Sequence, residues 1–215
     1  MQRELFEPGP EDARRWFAPG AMWLAAFARD REHQLLAAIT SLVAQAPFRQ
    51  MCTPGGRRMS VAMSNCGAFG WVTDARGYRY QCDDPSHARP WPAMPGEFAA
   101  LATRAAAAAG YPAFVPDACL INRYEPGARM TLHQDVNERD FAQPIVSVSL
   151  GLPAVFLFGG AARGDTTQRL LLTHGDVLVW GGPSRRFFHG VLPVKEGVHP
   201  LFGRCRINLT FRRAR

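Results

Sequence analysis

From Ala118 to the C terminus the chain is a succession of short β-branched or aromatic runs: ACLINRY, PIVSVSLG, AVFLFGG, RLLLTHGD, VLVWGG, RFFHGVLPV and CRINLTFRR. Gly, Pro or Asp turns separate them. So many short strands in about 100 residues pair antiparallel and predict a sandwich or jelly roll. Two helical patterns precede them. Leu35, Leu36, Ile39, Leu42 and Val43 recur at helical spacing between Arg31 and Ala46, and Pro47 closes the run. A second helix is expected from about Gly96 to Ala109, ended by Gly110 with Pro112 just beyond. The expected fold class is therefore mainly β with flanking helices (α+β). Residues 1–30 carry little periodicity and read as an irregular arm. Phe48 to Pro92 is rich in Gly, Met and aromatics, with turns at Pro54-Gly55-Gly56 and Asp83-Asp84-Pro85, and reads as loops and short strands outside the core.

The length of 215 residues fits one domain, or one domain with a lid. No apolar run is long enough for a bilayer-spanning helix, and the start, MQRELFEPGPED, lacks the apolar core of a secretion signal. The five cysteines, Cys52, Cys66, Cys82, Cys119 and Cys205, are scattered without a C-x-x-C pair, which argues against a disulfide framework or zinc ribbon. That usage fits a reducing cytoplasm. The net charge is +7, and Lys195 is the one lysine, so the other basic residues are all arginine. Charge alone makes nucleic acid a plausible partner and says no more. No coiled coil or large apolar stripe is evident, so a monomer is expected.

His133 and Asp135 form an H-x-D pair whose side chains leave the same face of an extended segment. His189 lies in a later strand-like run. Two imidazoles and one carboxylate on one side of an ion are the facial arrangement of non-haem Fe(II) oxygenases. H-x-D alone is common, and a lone strand histidine is usually a packed residue. The last strand adds weight. In CRINLTFR, Arg206, Asn208, Thr210 and Arg212 share one face, while Ile207, Leu209 and Phe211 share the other. A solvated edge strand produces this pattern too. Yet two arginines with an amide and a hydroxyl between them form a donor-rich strip suited to a dicarboxylate. Asn122 and Tyr124, two apart on another strand, can supply further donors.

PFRQM (Pro47–Met51), Gly70-Trp71, WPAMP, AAGYP, PDACLINRY, PIVSVSLGLP, HGDVLVWGG and RINLTFR together closely resemble the AlkB family of Fe(II)- and 2-oxoglutarate-dependent dioxygenases. The resemblance is weak before Arg31. It implies a double-stranded β-helix (jelly roll) organised as an N-terminal arm and helix over 1–47, a nucleotide-recognition lid over 48–92 and the dioxygenase core over 93–215. It further implies Fe(II), 2-oxoglutarate and O2 as cofactors, with His133, Asp135 and His189 as the catalytic iron ligands. Asn122, Tyr124, Arg206, Asn208 and Arg212 match the 2-oxoglutarate pocket, with Arg206 on the distal carboxylate and Arg212 nearer the iron. Trp71, Tyr78 and Tyr80 match lid aromatics around the substrate, and Arg163 a residue beside the flipped base. The family's activity is oxidative demethylation of 1-methyladenine and 3-methylcytosine in DNA and RNA. Single strands are preferred, double-stranded DNA is also used, and formaldehyde, succinate and CO2 are released. Asn137 stands where the family is expected to carry an acid. Its amide keeps an acceptor for the base's exocyclic amine and drops the charge, which predicts a weaker preference for cationic over neutral lesions or a shifted pH optimum. Arg57 and Arg58 are candidates to grip phosphates. The residues leave two other readings open: the same chemistry on another RNA or protein substrate, and a catalytically inactive nucleic-acid-binding jelly roll. His174 is expected at a structural hairpin turn, His33, His87 and His199 in solvent, and Trp180 in core packing.

Overall fold

The computed structural model describes residues 13–215. Its elements in chain order are β1 (Arg14–Ala18), β2 (Ala21–Leu24), α1 (Glu32–Gln45), β3 (Ala62–Gly67), β4 (Gly70–Asp74), β5 (Gly77–Gln81), β6 (Asp83–Asp84) and β7 (Arg89–Pro90). They continue with α2 (Gly96–Ala108), β8 (Ala118–Tyr124), β9 (Met130–His133), β10 (Ile145–Gly151), β11 (Ala154–Phe158) and β12 (Gln168–Leu172). The last are β13 (Val177–Trp180), β14 (His189–Val191) and β15 (Arg206–Arg212).

Strands from β8 onward divide between two antiparallel sheets, alternating except for the β11–β12 hairpin. The larger runs β1-β2-β13-β10-β15-β8-β3 and the smaller β12-β11-β14-β9, which is the jelly-roll arrangement. The alternation of β10 and β15 explains how this positions a site. Val146, Val148 and Leu150 of β10 and Ile207, Leu209 and Phe211 of β15 point to one side, against Leu35, Ile39 and Leu42 of α1 and Phe98 and Leu101 of α2. Each fully buried side chain of this kind stabilises the fold by about 1.5–3 kcal/mol. The other face carries Ser147, Ser149, Arg206, Asn208, Thr210 and Arg212, and all six are buried. The strip is thus enclosed between the sheets, not solvated.

The helices fall where the periodicity places them. α2 ends in a Schellman motif: Tyr111 N–H donates to the Ala106 carbonyl and Gly110 N–H to Ala107, with Gly110 at φ +86°.

Two expectations about the N-terminal half change. Residues 1–12 of the expected arm lie outside the described residues, but 14–24 form a hairpin rather than an irregular segment. Its second strand extends the large sheet by pairing with β13, Ala21 opposite Trp180. Gly20 makes that turn at φ +72°, where a Cβ would stand 2.6 Å from the Gly181 carbonyl oxygen. The stretch 48–92 also enters the core. β3 pairs with β8 at the sheet's edge, and Val61, Met63, Val72 and Trp91 are buried. Glycine-rich spacing masked these residues, because their apolar partners lie far away in the chain. Only the β4–β5 and β6–β7 hairpins stand off the two sheets. No helix among the described residues is long and apolar enough to cross a membrane.

Candidate active site

β9 and β14 are antiparallel neighbours, and their pairing sets His133 directly opposite His189. The two rings lie 4.4 Å apart. Asp135, just past the end of β9, brings Oδ1 to 3.9 Å from His133 Nε2 and Oδ2 to 3.6 Å from His189 Nε2. All three ligand atoms fall within 4.8 Å of one another. Nδ1 of His133 donates to the Thr131 carbonyl at 2.8 Å, and Nδ1 of His189 to the Phe187 carbonyl at 2.9 Å. These bonds fix the tautomer and leave both Nε2 lone pairs for a shared ion.

Metal ligation needs neutral imidazoles and an ionised carboxylate. Burial, reinforced by His189, holds the pKa of His133 down to about 4, so its ring is neutral at pH 7. Burial by itself would raise the Asp135 carboxyl. The Arg212 guanidinium and then His189 outweigh it and hold Asp135 well below the usual range. Arg212 reaches Asp135 Oδ2 from Nε at 3.1 Å and Nη2 at 2.7 Å. A facial pair of histidines with one carboxylate fits Fe(II).

The cavity holding the triad is also lined by Asn122, Tyr124, Asn208 and Arg212. Strand register explains why: in the β8–β15 pair Asn122 faces Asn208 and Tyr124 faces Arg206. Arg206 is 1% exposed, its guanidinium 5.0 Å over the Tyr124 ring. Nη2 donates to Ser149 Oγ at 2.9 Å, while Nε and Nη1 have no partner among the described residues. Burial pulls the Arg206 pKa down. A buried cation with unpaired donors costs several kcal/mol unless an anion meets it. A carboxylate does so through two parallel hydrogen bonds. The site therefore suits a small dicarboxylate beside the metal. Phe156 and Trp180 pack on His189, at 5.9 and 5.1 Å between ring centroids. Trp180 is thus core packing and ligand support at once.

The residues expected around the substrate divide. Trp71 stacks on Tyr78 at 5.7 Å, and Tyr78 remains 46% exposed. Arg163 is exposed and donates to the carbonyl of Leu132, the residue before His133, at 2.8 Å. Tyr80 turns inward instead: it is buried, and its hydroxyl donates to Glu138 Oε1 at 2.6 Å. Asn137 differs too. Its Oδ1 accepts from Trp71 Nε1 at 3.1 Å, so the acceptor expected to read the base is already engaged.

Glu138 and Arg185 escaped the sequence reading. Glu138, buried, also meets Arg185 Nη2 at 3.2 Å and Arg212 Nε at 3.4 Å. Arg185 donates to the backbone carbonyls of Gln143 and Asp135 at 2.8 and 3.0 Å. Neither residue has a sequence signal, since each stands in a charged loop and its partners come from distant strands. Of the other histidines, His33 and His87 are exposed, but His199 is half-buried, its ring tilted against that of His174 at 4.4 Å. His174 lies in the β12–β13 turn, where Nδ1 accepts from Gly151 N–H at 3.0 Å and Nε2 meets Glu32 at 2.7 Å.

A jelly roll with a His-Asp-His triad and a buried arginine beside it defines an iron- and 2-oxoglutarate-dependent oxygenase. The family model described as the 2OG-Fe(II) oxygenase superfamily matches residues 20–212, and the chain belongs to that superfamily. Over 206 residues it is 59% identical to the alpha-ketoglutarate-dependent dioxygenase AlkB of Escherichia coli (strain K12), covering 94% of this chain and 95% of the relative. The AlkB homolog of Caulobacter vibrioides is 47% identical over 185 residues, 86% of this chain and 82% of the relative. The solved structure of OsALKBH1 superposes with a TM-score of 0.82 at 29% identity, covering 93% of this chain and 99% of that one. The chain is an Fe(II)/2-oxoglutarate-dependent dioxygenase.

Proposed function

We propose that the protein repairs alkylated DNA and RNA by oxidative demethylation of 1-methyladenine and 3-methylcytosine. The observation that carries this reading is the convergence of His133, Asp135 and His189 in a cavity whose lining residue Tyr124 packs on a buried guanidinium with two unpartnered N–H groups. His133, Asp135 and His189 hold Fe(II), and Arg206 with Tyr124 holds the distal carboxylate of 2-oxoglutarate. Asn122, Asn208 and Arg212 complete that pocket. Iron with 2-oxoglutarate and O2 supplies a hydroxylation of the N-methyl carbon that ends in formaldehyde, succinate and CO2.

The chain's own groups do the positioning. Arg212 keeps Asp135 ionised and oriented. Phe156 and Trp180 form an apolar wall that keeps water from the site. Within residues 48–92 the β4–β5 and β6–β7 hairpins, which stand off the sheets, act as a nucleotide-recognition lid, with Trp71 on one face of an extruded base and His133 on the other. N-alkylation blocks pairing and lowers the cost of extrusion, and an aromatic face attracts a cationic ring. The same logic favours single strands, since nothing need be unpaired there. Tyr78 and Arg163 border the entrance, and Arg57 and Arg58 meet phosphates. We place the protein in the cytoplasm as a monomer.

The test is formaldehyde release from methylated and unmodified single- and double-stranded oligonucleotides. Release only from methylated strands, faster from single ones, is expected. The His133→Ala variant should fold, lose turnover and lose the visible band that anaerobic Fe(II) and 2-oxoglutarate give the intact site. Formaldehyde release retained in that variant rules out the ligand assignment.

A further inference from the structure

Phe141 lies in the loop that follows Asp135 and is 37% exposed. Two guanidinium groups lie over its ring. That of the buried Arg185 stands 5.4 Å from the ring centroid and also donates to the Asp135 carbonyl at 3.0 Å. One side chain therefore separates the ring from the backbone of an iron ligand. The exposed Arg186 stands 5.6 Å from the same centroid. Its charge meets no carboxylate among the described residues. The acids of the adjoining loops are engaged: Asp140 accepts from Ala142 N–H, Asp165 from Ala162 N–H, and Glu138 from Tyr80 and Arg185. The surface between this ring and the triad is continuous. Gln134, next to both His133 and Asp135 in the chain, donates from Nε2 to the carbonyls of Arg186 and Ala161. His133 keeps 36% of its side chain exposed, so the triad opens to solvent on this side. A lone exposed aromatic is ordinary. Here the ring carries an unneutralised guanidinium and sits beside the opening of the site. Flat π-surface and positive charge together are what hold a single nucleic-acid strand.

We propose that Phe141 and Arg186 form a second stacking platform, outside the iron pocket, for the base next to the lesion in the same strand. This rests on the repair reading above. The neighbouring base lies on the exposed part of the Phe141 ring, and the phosphate between it and the lesion meets Arg186. Extruding the lesion strips that neighbour of a stacking partner, and the ring replaces it. Stacking uses the face that every base has, so the platform tolerates any sequence. Its order along the surface, from the triad through Gln134 and Arg186 to Phe141, is the order of base, phosphate and next base along a strand.

The test titrates anaerobic holoenzyme, by fluorescence anisotropy, with single-stranded pentanucleotides carrying a central 1-methyladenine. One strand is intact, and two others carry an abasic residue on the 5′ or the 3′ side of the lesion. In wild type, removing the neighbour on one side should weaken binding about tenfold. Phe141→Leu keeps an apolar side chain against Arg185 and removes the π-face, so that penalty should largely vanish. The penalty is a ratio within one variant, so a general loss of folded protein cancels. Arg186→Gln should lower the slope of log affinity against log salt by about 0.7. A wild type indifferent to both abasic positions, a full penalty retained in Phe141→Leu, or a salt slope unmoved by Arg186→Gln overturns the inference. Formaldehyde released in air from the intact strand leaves the repair reading standing in each of those cases. If no methylated strand yields formaldehyde while 2-oxoglutarate is consumed, the repair reading itself falls and takes the inference with it.

Discussion

Arg206 is the residue whose surroundings say most about the chemistry. It is buried, aromatic-stacked and left with two unpaired N–H groups, an arrangement that folding alone does not favour. Replacing it by Met should therefore separate stability from function. Without 2-oxoglutarate the variant should melt at the same temperature as wild type or up to about 4 °C higher, since a buried unpaired charge is removed. The KM for 2-oxoglutarate should rise by about 100-fold, because a charge-assisted pair is lost. Calorimetry and steady-state kinetics check the two halves. Its neighbour Arg212 plays the opposite part, since its charge is already matched by Asp135 and Glu138. Two arginines on one strand face look equivalent in the sequence, and only their partners tell them apart.

At the scale of elements, the β4–β5 hairpin is tied to the dioxygenase core by side chains as well as by the backbone. Tyr80 of β5 reaches Glu138, which in turn meets Arg212 of β15. Tyr80→Phe removes one hydroxyl and leaves Glu138 one donor short. A destabilisation of about 1–2 kcal/mol is expected, with faster amide exchange over 70–81 than over β8 or β10. Uniform exchange across those strands would show that the hairpin does not depend on this bond. A second tie joins α1 to the β12–β13 turn through Glu32 and His174. The hydrogen bond from His174 holds the Glu32 carboxyl below its ordinary value. A carboxyl lowered on folding contributes stability above its unfolded pKa and loses it as pH falls through the folded one. The melting-temperature gap between wild type and Glu32→Gln should then be constant above about pH 5 and shrink below about pH 4. A gap that persists undiminished at pH 3 would assign it to packing.

The whole molecule carries a net charge of +7, with Arg57 and Arg58 exposed and outside every ion pair among the described residues. Binding to single strands should weaken with salt. Neutralising both arginines should lower the slope of log affinity against log salt by about 1 to 2 while leaving lesion ranking unchanged. An unaltered slope would return them to the solvated surface. The strand order in space also explains the assembly of the triad. His133 and His189 are far apart in sequence, but β9 and β14 are neighbours in the small sheet, so main-chain pairing delivers both rings to one place.

Local periodicity was enough to read seven of the eight strands from β8 onward (β9 escaped it), both helices, the two faces of Arg206–Arg212 and the His133–Asp135 pair, because each depends on side-chain direction within a few residues. The outcome at Tyr80, Asn137, Glu138 and Arg185 was decided by tertiary structure alone. So were the N-terminal hairpin and the place of β3 at the sheet edge. In each of these cases the determining partner is supplied by a distant segment: Glu138 for Tyr80, Trp71 for Asn137, β13 for β2 and β8 for β3. A pattern of spacing shows which way a side chain leaves the backbone; what it meets there depends on how the sheets close.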